Sequence, residues 1–296
     1  MNFNHLLIFQ KVAKKGHFTR AAEELFISQP AVSKQIHELE KALKQPLFSR
    51  VGQKVFLTDA GRLLLPYANR IFALAEEAEM ALQEMQGLER GQLTVGASMT
   101  IGTYLLPELL GVYKERHPRI ELFVTVANTE EVQEAVLVNK VEIGLIEGGV
   151  THPELEQQVW RQDELVRIGS PEKARDLPEE MSIEQFLALR LPLIMCERGS
   201  GTRSVLEEAL LAFEVTPTLP VMELNSPEAI KRAVVAGLGY AFVSEQTITH
   251  EEAAQRLQRI PLKGFQVRRP LLVIIPRQKK FSKTTEAFLK LLQETS

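Results

Sequence analysis

The stretch from residue 28 to residue 40, SQPAVSKQIHELE, limits the possible folds of this chain more than any other segment. Ser28 is a good helix N-cap, and Pro30 follows in the first turn, where its missing N–H costs nothing. Apolar residues recur at helical spacing and form one stripe, at Val32, Ile36, Leu39 and Leu43. The residues left for the exposed face are Gln29, Pro30, Ser33, Lys34 and His37. The stretch therefore predicts a helix whose exposed start is short and polar.

Two shorter helices are predicted before this one. The first covers residues 4 to 14 and ends at Gly16, and the second begins near Thr19 as its N-cap. Ala21 and Ala22 let the second helix cross the third closely, as a helix-turn-helix requires. The polar start of the third helix can then enter a DNA major groove and touch base edges. A plain three-helix bundle would not explain why the exposed start of the third helix avoids long side chains.

A hairpin is predicted after the three helices. Residues 47–57, LFSRVGQKVFL, alternate in polarity and turn at Gly52. Arg50 and Lys54 flank the turn, which is the position of a wing that reaches backbone phosphates or a minor groove. A solvated hairpin tip with two charges is equally common in unrelated proteins, so the wing only supports the DNA-binding interpretation.

A long helix is predicted from Thr58, as N-cap, to about residue 88. Its apolar positions alternate in spacing between four and three residues, and these are Leu64, Ala68, Ile71, Ala75, Ala78, Leu82 and Met85. This is a heptad seam, and its alanines allow another helix to approach closely. Packing within the chain is the alternative, but a single helix between two domains has little core of its own, so the seam favours dimerisation. Pro66 predicts a kink or a frayed start.

Charge is distributed unevenly along the chain. The first 62 residues carry 10 Lys and Arg against 5 Asp and Glu, a net charge of +5, whereas the rest carries −8. A basic head on an acidic body is typical of polyanion binding, although chance explains it equally well. The single cysteine excludes a disulfide framework. With no signal-peptide cleavage site and no apolar run near the roughly 18 residues of a membrane span, we expect a cytoplasmic protein without a membrane partner.

From Gln92 onwards, strands and helices alternate. Three strands are predicted near residues 92–98, 119–127 and 141–147, and three more near 191–197, 218–224 and 240–245. Two βαβαβ units of this kind imply two lobes, each with a largely parallel sheet. The last strand, RPLLVIIP, and the closing helix are predicted to return to the first lobe. Ligands of such sheets bind outside the carboxyl ends of the strands, at helix N-termini.

Four predicted helix starts carry the candidate effector-binding residues. They are Ser98, Met99 and Thr100 at the first start, Asn128 and Thr129 at the second, Ser200, Gly201 and Thr202 at the third, and Asn225 and Ser226 at the fourth. Each start presents unpaired backbone N–H groups, and no aromatic residue belongs to these turns. They favour a compact anion, such as an inorganic oxyanion or a short carboxylate. The same residues cap their own helices whether or not they bind a ligand.

Other interpretations of the second half are weaker. Glu147 would oppose a bound anion, and Arg203 either faces it or pairs with a nearby acid. The sequence ERGSGTRS resembles a dinucleotide fingerprint with Glu223 as the ribose acid, but Ser204 replaces the third glycine. Cys196 is a candidate redox sensor, although an apolar strand without a resolving partner favours a structural thiol. Metal-ligand spacings and hydrolase motifs are lacking, so we expect no enzyme activity, cofactor or metal.

The segment FTRAAEELFISQPAVSKQIHELEKALKQPLFSR, followed by LTDAG, resembles the winged helix-turn-helix signature of the LysR-type transcriptional regulators. The matching features are the paired alanines, Leu25, SQPAVS, Ile36, the LE pair and the LF-R strand. By this resemblance, the residues that touch bases or their edges are Gln29, Pro30, Ser33 and Lys34. Those that hold the DNA backbone are Thr19, Arg50 and Arg62. The family typically binds inverted-repeat operators as dimers of dimers, so we expect a homodimer or homotetramer.

The resemblance covers the whole chain and implies an α/β protein in three parts. These are a winged helix-turn-helix domain at 1–58, a linker helix at 59–89, and a bilobed effector domain similar to type 2 periplasmic binding proteins at 90–296. The first lobe would comprise 90–161 and 267–296, and the second 162–266. ASMTIGTYLLP and ERGSGTR look like the branch of the family that senses sulfur or carbon metabolism through small anions. A pure binding protein is the structural rival for this half, but it would not carry a DNA-binding head.

Overall fold

A computed structural model describes residues 2–51, 54–84, 91–175, 177–178, 180–214, 220–277 and 281–295. The chain divides into two compact units, Met1–Leu82, called the head below, and Gln83–Ser296, called the effector domain. Within the described ranges, no helix has the length and apolar character needed to span a membrane.

The head contains helices followed by a hairpin and a long helix. The helices are α1 (Phe3–Lys15), α2 (Phe18–Glu24), α3 (Gln29–Leu43) and α4 (Asp59–Glu84), and the strands are β1 (Phe48–Val51) and β2 (Lys54–Leu57). The two strands pair in antiparallel register. The buried core residues of the head include Leu6, Phe9, Val12, Ala21, Ala22, Val32, Ile36, Leu39 and Leu47. The predicted apolar stripe of α3 is therefore its core face.

The helix caps of the head follow the sequence closely, with one exception. Gly16 ends α1 in the left-handed region at φ 63°, and the side chain of Ser28 caps α3 by accepting the N–H of Ala31 at 3.4 Å. Thr19 is not the cap of α2, because that helix begins one residue earlier, at Phe18. The ring of Phe18 is buried against Phe48, with 5.8 Å between ring centroids. Phe18 is thus the first residue of α2, and its side chain belongs to the head core.

In the long helix α4, the first three positions of the predicted heptad seam do not face a second chain. Thr58 caps it as expected, since its hydroxyl accepts the N–H of Gly61 at 3.1 Å, and the helix continues through Pro66. Ala68 is fully buried in the core of the head, and Leu64 and Ile71 pack against that core. The remaining seam positions differ: Ala75 and Ala78 are exposed, while the side chain of Leu82 and all of Met85 lie outside the described residues. The first part of the seam thus packs within the chain.

The effector domain alternates strands and helices. The strands are β3 (Gly91–Ser98), β4 (Ile120–Ala127), β5 (Ile143–Glu147), β6 (Leu155–Gly169), β7 (Leu193–Cys196), β8 (Met222–Leu224), β9 (Tyr240–Ser244), β10 (Gln258–Arg259) and β11 (Val267–Pro276). The α-helices are α5 (Leu106–Arg116), α6 (Thr129–Leu137), α7 (Pro171–Arg175), α8 (Ile183–Ala188), α9 (Gly201–Ala212), α10 (Pro227–Val235), α11 (Thr249–Ala253) and α12 (Lys283–Glu294). A π-helical segment, Ile101–Leu105, precedes α5, and a 3-10 segment, Glu245–Thr247, follows β9.

The strands form a mixed sheet in the order β4-β3-β5-β11-β6-β9-β7-β8, with β10 on β6. The prediction of parallel strands is correct for β4-β3-β5 and for β9-β7-β8, which define the first and second lobe respectively. Between them, β6 and β11 run antiparallel to each other and to their outer neighbours. The sequence analysis did not predict β6. The last strand and helix return to the first lobe as expected, where Phe288 of α12 packs edge-on against Tyr113.

Candidate functional sites

The start of α3 presents the residues that the sequence analysis assigned to base contacts. Gln29 Nε2 donates to Ser33 Oγ at 2.9 Å, so the two polar side chains are held together one turn apart. Pro30 and Lys34 are exposed, and Lys34 Nζ lies 4.0 Å from a carboxylate oxygen of Glu38. These residues lie on the side of α3 opposite the buried stripe. The surface is compact, polar and free to approach a base edge.

The residues assigned to the DNA backbone lie around this helix. Thr19 is exposed in the first turn of α2. Arg62, near the start of α4, donates to the carbonyl oxygen of Leu57 at 2.7 Å and pairs with Asp59 at 2.5 Å. The backbone of the hairpin expected to form the wing is described, and in it residue 50 pairs with residue 55 and residue 51 with residue 54. The side chains of residues 50 and 54, and the predicted turn at position 52, lie outside the described residues.

In the effector domain, the four predicted helix starts converge on one cleft between the lobes. The residues that line it are Ser98, Met99, Thr100, Asn128, Thr129, Glu147, Cys196, Glu197, Ser200, Thr202, Asn225 and Pro227. None of the described lining residues is aromatic. The cleft has a volume of about 10 Å³, which is room for about one water molecule. The two lobes are therefore closed on each other, and a larger ligand enters only if the cleft opens.

Three of the predicted effector-binding residues do not line the cleft. Gly201 donates its N–H to Thr129 Oγ1 at 3.1 Å, and Ser226 is the N-cap residue of α10. Arg203 pairs with Glu207 at 2.8 Å and Glu223 at 2.9 Å, which is the alternative that the sequence left open. With Glu223 engaged in this way, the dinucleotide interpretation loses its ribose acid. Gly201 matters for packing instead, because its missing Cβ lets the start of α9 approach the end of β5 closely.

A buried network of charged and hydroxyl groups supports the cleft. The carboxylate of Glu147 accepts the backbone N–H of Thr100 at 3.1 Å and the hydroxyl of Thr202 at 3.5 Å. Arg269 donates to Thr202 Oγ1 at 2.8 Å, and its Nε and Nη2 both lie 2.7 Å from Asp163. Ser244 donates to the other oxygen of Asp163 at 2.8 Å. The network ties the first lobe to the second through the two central strands.

Ser98 is the one cleft residue whose hydroxyl is both buried and unpartnered within the described residues. Its side chain is 1% exposed and its Oγ has no hydrogen-bond partner. Leaving a buried hydroxyl unpaired costs about 1–3 kcal/mol. The Ser98 hydroxyl is therefore available to a small ligand or to the one water molecule for which the cleft has room.

Two further bridges connect the lobes at the cleft. Asn128 Nδ2 donates to Glu197 at 3.3 Å. The hydroxyl of Tyr104, in the first lobe, hydrogen-bonds Glu228 of α10, and Lys231 Nζ lies 2.7 Å from the same carboxylate. Burial, reinforced by the bond to Glu228, raises the pKa of Tyr104 to about 12. The phenol hydroxyl thus donates a hydrogen bond from the first lobe to the second.

Cys196 lines the cleft but has the properties of a structural thiol. Burial raises its pKa to about 11. Because the thiolate is the reactive form, a thiol with this pKa is a poor nucleophile at neutral pH. The redox-sensing alternative is therefore disfavoured. Within the described part of the chain there is also no group of three or more His, Cys, Asp or Glu residues arranged to hold a metal.

Arg269 and Asp163 are site residues that the sequence analysis missed. Arg269 precedes the apolar run of β11, and Asp163 lies in β6, a strand whose polar first half gave no strand signal. The two are separated by 106 positions and meet only because β6 and β11 pair. A charged residue beside a buried strand was the only available signal, and it did not identify the partner.

Comparisons with known proteins agree with both halves of this architecture. A model described as "LysR substrate binding domain" matches residues 86–296, and one described as "Bacterial regulatory helix-turn-helix protein, lysR family" matches residues 3–62. A "Probable RuBisCO transcriptional regulator" from Synechocystis is 38% identical over 293 residues, which cover 97% of this chain and 84% of that protein. A relative with the same description from Gracilaria tenuistipitata var. liui is 38% identical, covering 97% of this chain and 94% of the relative.

Solved structures give the same picture. Full-length CbnR complexed with its target DNA aligns over 100% of both chains, with a TM-score of 0.72 and 22% identity. The regulatory domain of CcmR from Synechocystis PCC6803, in complex with 2-PG, aligns over 69% of this chain and 97% of that chain, with a TM-score of 0.62 and 28% identity. The head, the long helix and the bilobed domain occur here in the family order, and this chain belongs to the LysR family of bacterial transcriptional regulators.

Proposed function

We propose that this regulator binds an inverted-repeat operator through α3 and acts in the cytoplasm, where its DNA target lies. The support is the compact polar start of α3, together with the basic charge of the head. Gln29 and Ser33 bond each other in the free protein and exchange that bond for base edges. Lys34 also contacts a base edge, and the wing contacts phosphates. CbnR, which shares the fold over its full length, is described in complex with its target DNA.

Binding measurements on operator and random DNA test this proposal. Gln29→Ala and Ser33→Ala should each reduce discrimination at one base pair by about 1–3 kcal/mol. Arg50→Ala should weaken binding to all DNA similarly and flatten its salt dependence. Lys41→Ala, at the far end of α3, is the control and should leave discrimination unchanged. If operator and random DNA bound both polar-face variants with the wild-type ratio, α3 would not be the reading helix.

For the effector domain, we propose that the cleft binds a small anion which carries a phosphate or carboxylate group. The observation that carries this proposal is the convergence of hydroxyl, amide and backbone N–H donors on one cleft with no aromatic lining residue in the described chain. The CcmR regulatory domain is described in complex with 2-PG, an organic anion of this class. Binding would shift the arrangement of the lobes and so the affinity of the heads for DNA.

Isothermal titration with 2-phosphoglycolate, inorganic phosphate and short dicarboxylates tests the anion site. Ser98→Ala is the sharpest variant, because the Ser98 hydroxyl has no internal partner to lose. It should weaken anion binding without lowering the unfolding temperature, and Thr100→Val and Thr202→Val should also weaken it. Ser170→Ala removes another buried hydroxyl of the same domain, away from the cleft, and should leave binding intact. Preferential binding of an apolar effector, unchanged in these variants, would contradict the proposal.

We propose further that the chain forms a dimer, or a dimer of dimers, through the part of α4 beyond the head core. Ala75 and Ala78 lie on the predicted seam and are exposed in the single chain. Ile71 is unsuitable for a test because it packs against the head core. The double variant Ala75→Glu with Ala78→Glu should place like charges between facing helices and dissociate the dimer. Light scattering would report an unchanged mass if the dimer formed elsewhere.

A further inference from the structure

The proposed anion cleft contains a carboxylate of its own. Glu147 ends β5, is 2% exposed and lines the cleft. Its Oε1 accepts the N–H of Thr100 at 3.1 Å and its Oε2 accepts the hydroxyl of Thr202 at 3.5 Å. Donors from a helix start in each lobe are thus already directed at this carboxylate. Any bound anion has to lie beside Glu147 and share or replace these hydrogen bonds.

Arg269 does not neutralise this carboxylate fully. Its Nη1 lies 3.5 Å from Glu147 Oε2, whereas its Nε and Nη2 both lie 2.7 Å from Asp163 Oδ2. One buried guanidinium therefore faces two buried carboxylates, and the shorter distances are to Asp163. An anion without a proton that entered the cleft would be repelled by Glu147 at short range, in surroundings where water screens charge poorly.

The hydroxyl groups around Glu147 define what a ligand must supply. Thr202 accepts from Arg269 at 2.8 Å, so its single proton is directed to Glu147. Ser98 Oγ, in the same cleft, is buried without a partner among the residues that the structure describes. The same cleft is therefore lined by a carboxylate acceptor and by an unused hydroxyl. The complementary ligand group has an O–H to give to Glu147 and an anionic oxygen to accept from Ser98.

We propose that Glu147 selects oxyanions that carry a proton, namely a phosphate monoester in its singly protonated form, or a hydroxy acid. This inference rests on the proposed anionic effector. The O–H of the ligand donates to the Glu147 carboxylate, and its negative oxygens accept from Ser98 and from the helix starts. Sulfate has the same tetrahedral shape but no proton at neutral pH, so it meets Glu147 only as a like charge. A phosphate monoester has a second pKa of about 6, so part of it carries the required proton close to neutrality.

Titration calorimetry with inorganic phosphate and inorganic sulfate, at matched ionic strength on the full chain, tests this selection. Wild type should bind phosphate at least about 10-fold more tightly than sulfate. Glu147→Gln replaces the acceptor by an amide that can also donate, so sulfate affinity should rise and the ratio should fall to about one. Glu147→Asp keeps a carboxylate and should keep a preference for phosphate. Thermal unfolding of each variant checks that the domain is folded.

Glu142→Gln is the matched control. Glu142 is another buried acid of the effector domain, but it accepts from Ser282 and Thr285 and does not line the cleft, so its variant should retain the wild-type ratio. Equal binding of phosphate and sulfate by wild type, or an unchanged ratio in Glu147→Gln, would overturn the role of Glu147 while leaving the anion site in place. If wild type bound none of phosphate, sulfate and 2-phosphoglycolate, the proposed anionic effector itself would be wrong, and this inference with it.

Discussion

The head and the effector domain build their recognition surfaces in opposite ways. In the head, the proposed base-reading residues occupy one stretch of six positions, 29–34, on a single helix. In the effector domain, the cleft is assembled from positions between 98 and 227, and its supporting network reaches 269. The first surface follows from local helix geometry, whereas the second exists only when the two lobes meet.

This difference determines how each surface responds to substitution. A change on the exposed face of α3 removes one contact and leaves the helix in place, because the opposite stripe holds it. A change in the cleft network affects residues in both lobes, since Glu147, Thr202 and Arg269 share hydrogen bonds. We expect the effects of substitutions to be coupled across both lobes in the cleft, and in the head only between directly bonded neighbours such as Gln29 and Ser33.

The largest expected effect is a loss of stability that is confined to the head. Ala68 is fully buried in the head core, so Ala68→Glu places a charge and extra bulk where neither can be accommodated. The free energy of unfolding of the head should fall by about 4 kcal/mol or more, with loss of operator binding. Phosphate binding by the effector domain should persist. Ala75→Glu, on the same helix at an exposed position, should leave the head folded; simultaneous loss of both activities in Ala68→Glu would show that the units fold as one.

A smaller effect is expected at the point where the lobes touch. A Cβ built on Gly201 would lie 2.0 Å from the carbonyl oxygen of Glu147, so Gly201→Ala must move α9 away from β5. We expect the effector domain to lose about 1–3 kcal/mol of stability, and phosphate affinity to fall about 10-fold. Gly111→Ala, where nothing lies within 4 Å of the added atom, should be neutral or slightly stabilising. Denaturant unfolding and calorimetry measure both effects. Equal stability and equal phosphate affinity in the two variants would mean that the close contact between Gly201 and Glu147 does not matter.

The bridge from Tyr104 to Glu228 tests the closure of the cleft more gently. Tyr104→Phe removes one hydrogen bond between the lobes and leaves Glu228 paired with Lys231. The unfolding free energy of the effector domain should fall by about 0.5–1.5 kcal/mol. Tyr67→Phe, at an exposed tyrosine of the head, should change neither unit. Identical thermal unfolding of the two variants would mean that the bridge does not hold the lobes together.

The smallest effect concerns acid stability of the head. Hydrogen bonds from Lys11 and Lys15 lower the pKa of Glu24 from its ordinary value of 4.5 to about 2. A lowered pKa in the folded state means that the stabilisation is complete above pH 4.5 and is lost as the pH falls towards 2. Glu24→Gln should therefore be less stable than wild type at pH 6 but nearly equal to it near pH 2. Thermal unfolding across this pH range tests the prediction. If the difference in stability between the two proteins stayed constant with pH, Glu24 would not be the group with the lowered pKa.

Much of the head follows from its sequence. The caps at Gly16 and Ser28 and the core stripe of α3 depend on neighbours within a few positions, so local rules predict them. The long helix shows where this approach ends. The spacing of the seam does not say which partner the apolar face meets, and in the structure Ala68 meets the core of its own head.

In the effector domain, the sequence alone determined that strands and helices alternate, that four helix starts carry hydroxyl and amide groups, and that these belong at the carboxyl ends of parallel strands. Tertiary structure decided that β6 and β11 join the two lobes, and that the carboxylates of Asp163 and Glu147 share Arg269 between them. The physical reason is range. A cap is satisfied within one helical turn, whereas a buried charge is satisfied by whichever partner the folded chain brings near, and Asp163 lies 106 positions from Arg269.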